Sequence, residues 1–121
     1  MSTKAEITFK WKSEILGING AASITLTSDG HPSVVFEEII FPLIYAKRKG
    51  NLKDDGLIPA ILLSWGYEVV PTEYSWGYGD YVYTVDFIRE TVVVEKIGEK
   101  KEFSFEDFMT KKIYELAEEA A

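Results

Sequence analysis

The sequence predicts a single α+β domain over residues 1–121, in the order ββααββββα, with a mostly antiparallel sheet and helices packed on one of its faces. Three observations carry this expectation. Segments that alternate apolar and polar residues, the pattern of half-buried strands, group at the start and in the second half of the chain. Segments with helical spacing lie between those groups and at the end. Strands and helices therefore cluster instead of alternating regularly, which disfavours a doubly wound parallel sheet. At 121 residues there is room for one core.

The elements follow in order. In residues 5–12, Ile7, Phe9 and Trp11 point one way and Thr8, Lys10 and Lys12 the other. Gly17 and Gly20 mark a turn, and a second strand at 21–28 turns Ile24 and Leu26 inward, giving an N-terminal hairpin. Asp29-Gly30-His31-Pro32 stops that strand, and Pro32 suits the first position of a helix. The helix runs over 33–49 with Val34, Val35, Ile39, Leu43 and Ala46 at helical spacing, and Pro42 inside it forces a kink or a break. Asp54 or Asp55 caps a second helix at 57–65, apolar nearly all round and so expected near the middle of the core. A short strand at 67–70 precedes a loop rich in glycine and aromatic residues. Three strands follow, and Ser104 with Asp107 forms a capping box for a last helix striped by Phe105, Phe108, Met109, Ile113 and Leu116.

Composition narrows the function classes. Net charge is −7, a field that disfavours nucleic acid and anionic lipid and suits solubility or a basic partner. Cysteine is absent, which removes disulfides, thiolate zinc sites and cysteine nucleophiles. No apolar run approaches the roughly 20 residues of a membrane span, and the N-terminus lacks signal-peptide character, so a cytoplasmic protein with no membrane partner is expected. Glutamine is absent and there are two asparagines, Asn19 and Asn51, beside abundant Lys and Glu, which leans towards a thermophilic source.

Few residues suggest chemistry. His31 is the single histidine; beside Asp29 at a helix start it reads either as a proton donor or as a turn residue, the second being the blander reading. Asp86, Glu95 and Lys96 resemble a metal-nuclease set only superficially, because adjacent strand residues face opposite ways. No catalytic residue, metal site or cofactor is assigned. Lys47-Arg48-Lys49 is the one basic island, a phosphate or acidic-partner contact or simply a solvated helix end. Tyr74, Trp76 and Tyr78, on a glycine-rich frame, either fold back over their own sheet or form a contact patch for a partner or a second copy. A stacking platform for single strands is disfavoured by the charge.

Several short blocks resemble a family of small proteins of phages, prophages and archaeal viruses. Its Asp-Gly-Tyr-Pro turn between strand and helix reads Ser28-Asp29-Gly30-His31-Pro32-Ser33 here, with histidine in place of tyrosine. Gly56-Leu57, Gly79-Asp80-Tyr81-Val82-Tyr83 and Phe103-Ser104-Phe105-Glu106-Asp107-Phe108 are similar to further blocks of that family. The resemblance implies a setting, a virus or mobile element inside a host cell, and no mechanism. The expectation is a non-enzymatic accessory protein that binds another protein or itself, as a homodimer, through the aromatic loop and acidic surface. The alternatives are a small enzyme or nucleotide-ligand domain using Asp29, His31 and Asp80, and a structural virion component.

Overall fold

A computed structural model describes residues 2–72 and 79–121. Strand β1 (Ala5–Lys12) and strand β2 (Asn19–Leu26) form the expected hairpin, paired from Ala5 opposite Leu26 to Lys12 opposite Asn19. The second strand starts earlier than expected because the turn is tight: Gly17 adopts φ +69°, and the Ser13 amide donates to the Ile18 carbonyl at 2.8 Å. Strands β3 (Val70–Pro71), β4 (Tyr81–Asp86), β5 (Thr91–Lys96) and β6 (Glu99–Ser104) complete a six-stranded sheet in the order β3-β2-β1-β4-β5-β6. Every pairing in it is antiparallel except that of β1 with β4.

The first helix begins as α1 (Pro32–Val35), widens into a π turn (Phe36–Ile40) and continues as α2 (Phe41–Arg48). The π turn is how the chain accommodates Pro42. Proline offers no N–H and its ring collides with the carbonyl four residues back. Shifting the ladder by one residue, so that Phe41 N–H bonds the Phe36 carbonyl, relieves that collision without ending the helix. A short 3-10 turn (Asp55–Leu57) leads into α3 (Ile58–Ser64). After β6 come α4 (Phe105–Thr110) and α5 (Ile113–Ala120). The expected single last helix is thus two, divided where Lys111 is extended and Thr110 Oγ1 bonds back to the Glu106 carbonyl. The Ser104–Asp107 capping box is present as expected.

The core lies between one sheet face and the helices. Ile7, Phe9 and Trp11 of β1 share it with Ile24, Tyr83, Val85, Val92, Val94 and Phe103 from the neighbouring strands, in the alternation the sequence predicts. Its centre is the first helix, with Val35, Phe36, Ile39, Ile40, Leu43 and Ile44 all buried. The Phe36 ring meets the edges or faces of Tyr83 (6.2 Å), Phe103 (5.7 Å) and Phe108 (4.9 Å). The expectation that α3 occupies the middle is corrected: Ile58 and Leu62 are buried, but Leu63 is 58% and Trp65 42% exposed. This seven-residue helix buries one stripe, and an apolar far side does not draw it inward. On the opposite sheet face Glu6, Thr8 and Ser23 are also buried, with Thr8 Oγ1 and Ser23 Oγ 2.8 Å apart and Ser23 Oγ donating to Thr72 Oγ1. Among the described residues no helix is long and apolar enough to cross a membrane.

Candidate functional site

The Asp29–Pro32 turn owes each residue to backbone geometry. Asp29 sits at φ +59°, a left-handed conformation that aspartate tolerates better than most residues. Gly30 presses on the start of β1, where a Cβ would lie 2.6 Å from Ala5 Cβ and 2.9 Å from both Ala5 N and Lys4 C. Its amide donates to the Thr3 carbonyl (2.9 Å), and its carbonyl accepts from the buried Tyr83 hydroxyl (2.7 Å). Burial, and then the neighbouring Tyr81, push the Tyr83 phenol above the usual tyrosine range. His31 caps the helix, Nδ1 accepting from the Ser33 amide at 3.2 Å, and Pro32 fills its first turn.

From the other side, the Asp80 carboxylate accepts from the Lys4 amide (2.7 Å), while the Asp80 and Tyr81 amides donate to the Lys4 carbonyl. The structure therefore brings Asp29, His31 and Asp80 to one end of the sheet, as a clamp on residues 3–5. One Asp80 carboxylate oxygen and His31 Nδ1 are engaged by local backbone, and Asp29 lines a separate groove beside Val34, Glu38 and Tyr67. That arrangement holds a strand; it does not converge on a reacting atom.

The basic island is largely neutralised from within. Lys47 Nζ donates to both oxygens of buried Asp55 (2.8 and 2.9 Å), Arg48 lies 3.6 Å from Glu90 and 3.5 Å from Glu106, and Lys49 sits 5.5 Å from the Tyr45 ring. Glu95 and Lys96 do face opposite ways: Glu95 joins Asp86 and Glu102 along a charged sheet groove, while Lys96 Nζ bonds the Ala121 carbonyl on the helix side. Tyr74, Trp76 and Tyr78 lie outside the described residues.

A different surface stands out. The β1–β2 loop presents Ile15, Leu16 and Ile18 at 80%, 70% and 60% exposure, with Leu57 of the 3-10 turn beside them at 46%. Together with Trp11 they line an open hollow of about 450 Å³. The loop is held rigidly from beneath by Asp54. Its carboxylate accepts from Ser13 Oγ (3.0 Å), the Glu14 amide (2.9 Å) and the Gly56 amide (3.0 Å). Ser13 Oγ in turn accepts from the Leu16 amide (3.1 Å). Burial pushes the Asp54 carboxyl up, but the Ser13 hydroxyl and the Glu14, Gly56 and Ile15 amides outweigh it and hold the group below the usual carboxylate range. Sequence reasoning passes over this loop as a turn. The signal was there: turns favour polar residues, and Ile15-Leu16-Gly17-Ile18 carries three large aliphatic ones.

No family model, no curated protein and no solved structure matches this chain.

Proposed function

We propose that this protein is a non-enzymatic binding module that docks on another protein through the loop at 13–18. The observation that carries the reading is a rigid loop whose hydrogen bonds hold three aliphatic side chains out into water. Exposed apolar clusters of this kind cost solubility and mark contact surfaces. Holding the loop in place before contact lowers the ordering entropy of binding. Net charge of −7 favours a partner with a basic surface over a second copy, which would carry the same charge. The setting we propose is the one that the sequence resemblance implies, an accessory protein of a virus or mobile element acting inside its host cell. The enzyme alternative has less support, because one Asp80 carboxylate oxygen and His31 Nδ1 are taken up by backbone amides and Asp29 lines a different groove.

The test is photo-crosslinking in the host cell from a probe at position 16, with a probe at Ile97, 99% exposed on the β5–β6 turn, as control. The expected result is a discrete basic protein captured from position 16 only. Once purified, that protein should bind the wild type and not the folded variant Ile15→Ser, Leu16→Ser, Ile18→Ser. Equal capture from both probes overturns the reading. Light scattering that gives a wild-type dimer and a variant monomer replaces the foreign partner with a second copy.

A further inference from the structure

A second concavity lies between the first helix and α5, with a volume of about 610 Å³. Helix α4 packs on α2 and α5 packs on α1, so the two C-terminal helices line the length of the first. One wall is the stripe Ser33, Glu37, Phe41, spaced four apart on the first helix. The other is Tyr114 and Glu118, four apart on α5, and Ala117 and Ile113 supply the floor. Each wall therefore offers one carboxylate and one aromatic ring. The hollow has room because the residues that line it here are small, Ala117 of α5 and Ala121 just after it.

Size and lining match a ligand site: roughly 300–1,000 Å³, mostly apolar, with a few polar groups. The charges choose the ligand. Glu37 and Glu118 face the hollow from opposite walls, and among the described residues no lysine or arginine lines it. His31 stands at its edge with Nδ1 already engaged by Ser33. An anion would be repelled, and a neutral apolar molecule would gain no attraction from either carboxylate. A cation with an apolar body meets the carboxylates with its charge and the rings and alanines with its carbon. The Tyr114 ring already attracts an ammonium, since Lys112 Nζ sits 5.8 Å from its centre. We propose that this groove binds a small organic cation, an ammonium group on a short alkyl or aryl body, independently of the loop at 13–18.

The experiment is an amide-shift NMR titration of the whole chain with n-hexylammonium, hexanoate and hexan-1-ol. The expected result is saturable binding of n-hexylammonium, with shifts confined to residues of the groove such as Ala117 and Ala121, and little response to the other two. Glu37→Gln and Glu118→Gln should each weaken it about fivefold, the effect of losing one solvated charge contact. Raised salt should weaken it as well. Both glutamates are exposed, so the variants should keep the wild-type melting temperature. Hexanoate or hexanol binding as tightly as n-hexylammonium overturns the proposal without any variant. So does unchanged affinity in the double variant, or shifts centred on the loop at 13–18. Tighter binding of N-acetyl-lysine methylamide than of n-hexylammonium would reassign the groove to a lysine side chain of a protein.

Discussion

Replacing Gly30 by alanine tests whether the turn before the first helix is fixed by sterics. The new Cβ would stand 2.6 Å from Ala5 Cβ and 2.9 Å from two main-chain atoms of residues 4 and 5. Those atoms cannot retreat, because β1 is bonded to β2 on one side and β4 on the other from Ala5 onward. The turn must move instead, stretching Gly30 N–H to Thr3 and Tyr83 OH to Gly30. Overpacking costs about 1–3 kcal/mol, and weakening bonds to buried groups adds about 1–3 kcal/mol, so roughly 2–6 kcal/mol is expected. For 121 residues, about 2.1 cal/mol/K of unfolding entropy per residue makes 1 kcal/mol worth about 4 °C. The expected fall in Tm is therefore about 8–24 °C by calorimetry. Gly98→Ala is the control: φ is +77° there but a Cβ meets nothing within 4 Å, so only the conformational cost of about 1 kcal/mol applies. Adding Ala5→Gly to Gly30→Ala should recover part of the loss, since it removes the closest atom and leaves the main-chain contacts. A Gly30→Ala shift no larger than that of Gly98→Ala would refute the steric account.

Tyr83→Phe should cost about 1–3 kcal/mol in urea unfolding by leaving the Gly30 carbonyl without its donor. Because the folded phenol is raised above its ordinary value of 10.0, its contribution is complete below that pH and declines above it, by at most about 1.4 kcal/mol per pH unit. Tyr83→Phe should flatten this alkaline limb; an unchanged limb contradicts the buried-phenol account. Asp54 has the opposite sign: its folded pKa is depressed below 3.8, so its contribution is present above that value and is lost as the pH falls from there through the lower folded pKa. The protection of the Glu14 and Gly56 amides, measured against their intrinsic exchange rates, should fall on acidification below that value, and Asp54→Asn should show the low protection at neutral pH already. Ser104→Ala removes the acceptor of the Asp107 amide (3.1 Å), and should lower stability by about 1 kcal/mol, or about 4 °C.

Local patterns in the sequence account for most elements and few neighbours. Alternation in β1 and β4 assigns Ile7, Phe9, Tyr83 and Val85 to one face, because side-chain direction depends only on the residue and its strand. That the same two strands lie side by side in parallel has no local signature; it follows from how the intervening helices fold back. The capping box at Ser104 and the proline at helix position one are local devices and were legible. The partners of Asp54 and Asp55 were not, since they bind Ser13, 41 residues away, and Lys47, eight residues away. Pro42 announced a disturbance, but whether it ended, kinked or widened the helix was decided by Phe36, Ile39 and Ile40. Their burial favours a shift of ladder over a break.

Two of the blocks that carry the sequence resemblance, at 28–33 and 79–83, meet in space. Asp29-Gly30 and Gly79-Asp80 reach residues 3–5 from opposite sides of β1, and the Gly30 carbonyl is tied to Tyr83 on the next strand. Their residue types are explained by a left-handed φ, a missing Cβ, a helix cap and a carboxylate that holds a backbone amide. Backbone geometry alone thus accounts for Asp29, Gly30, Pro32 and Asp80 in these blocks. The loop at 13–18 is the converse. Its backbone requires Gly17 at φ +69° and an anchor at Asp54, but no feature of the turn calls for isoleucine or leucine at 15, 16 and 18. Three solvated aliphatic side chains on a pinned loop have no folding reason to be there, and contact with another apolar surface supplies one.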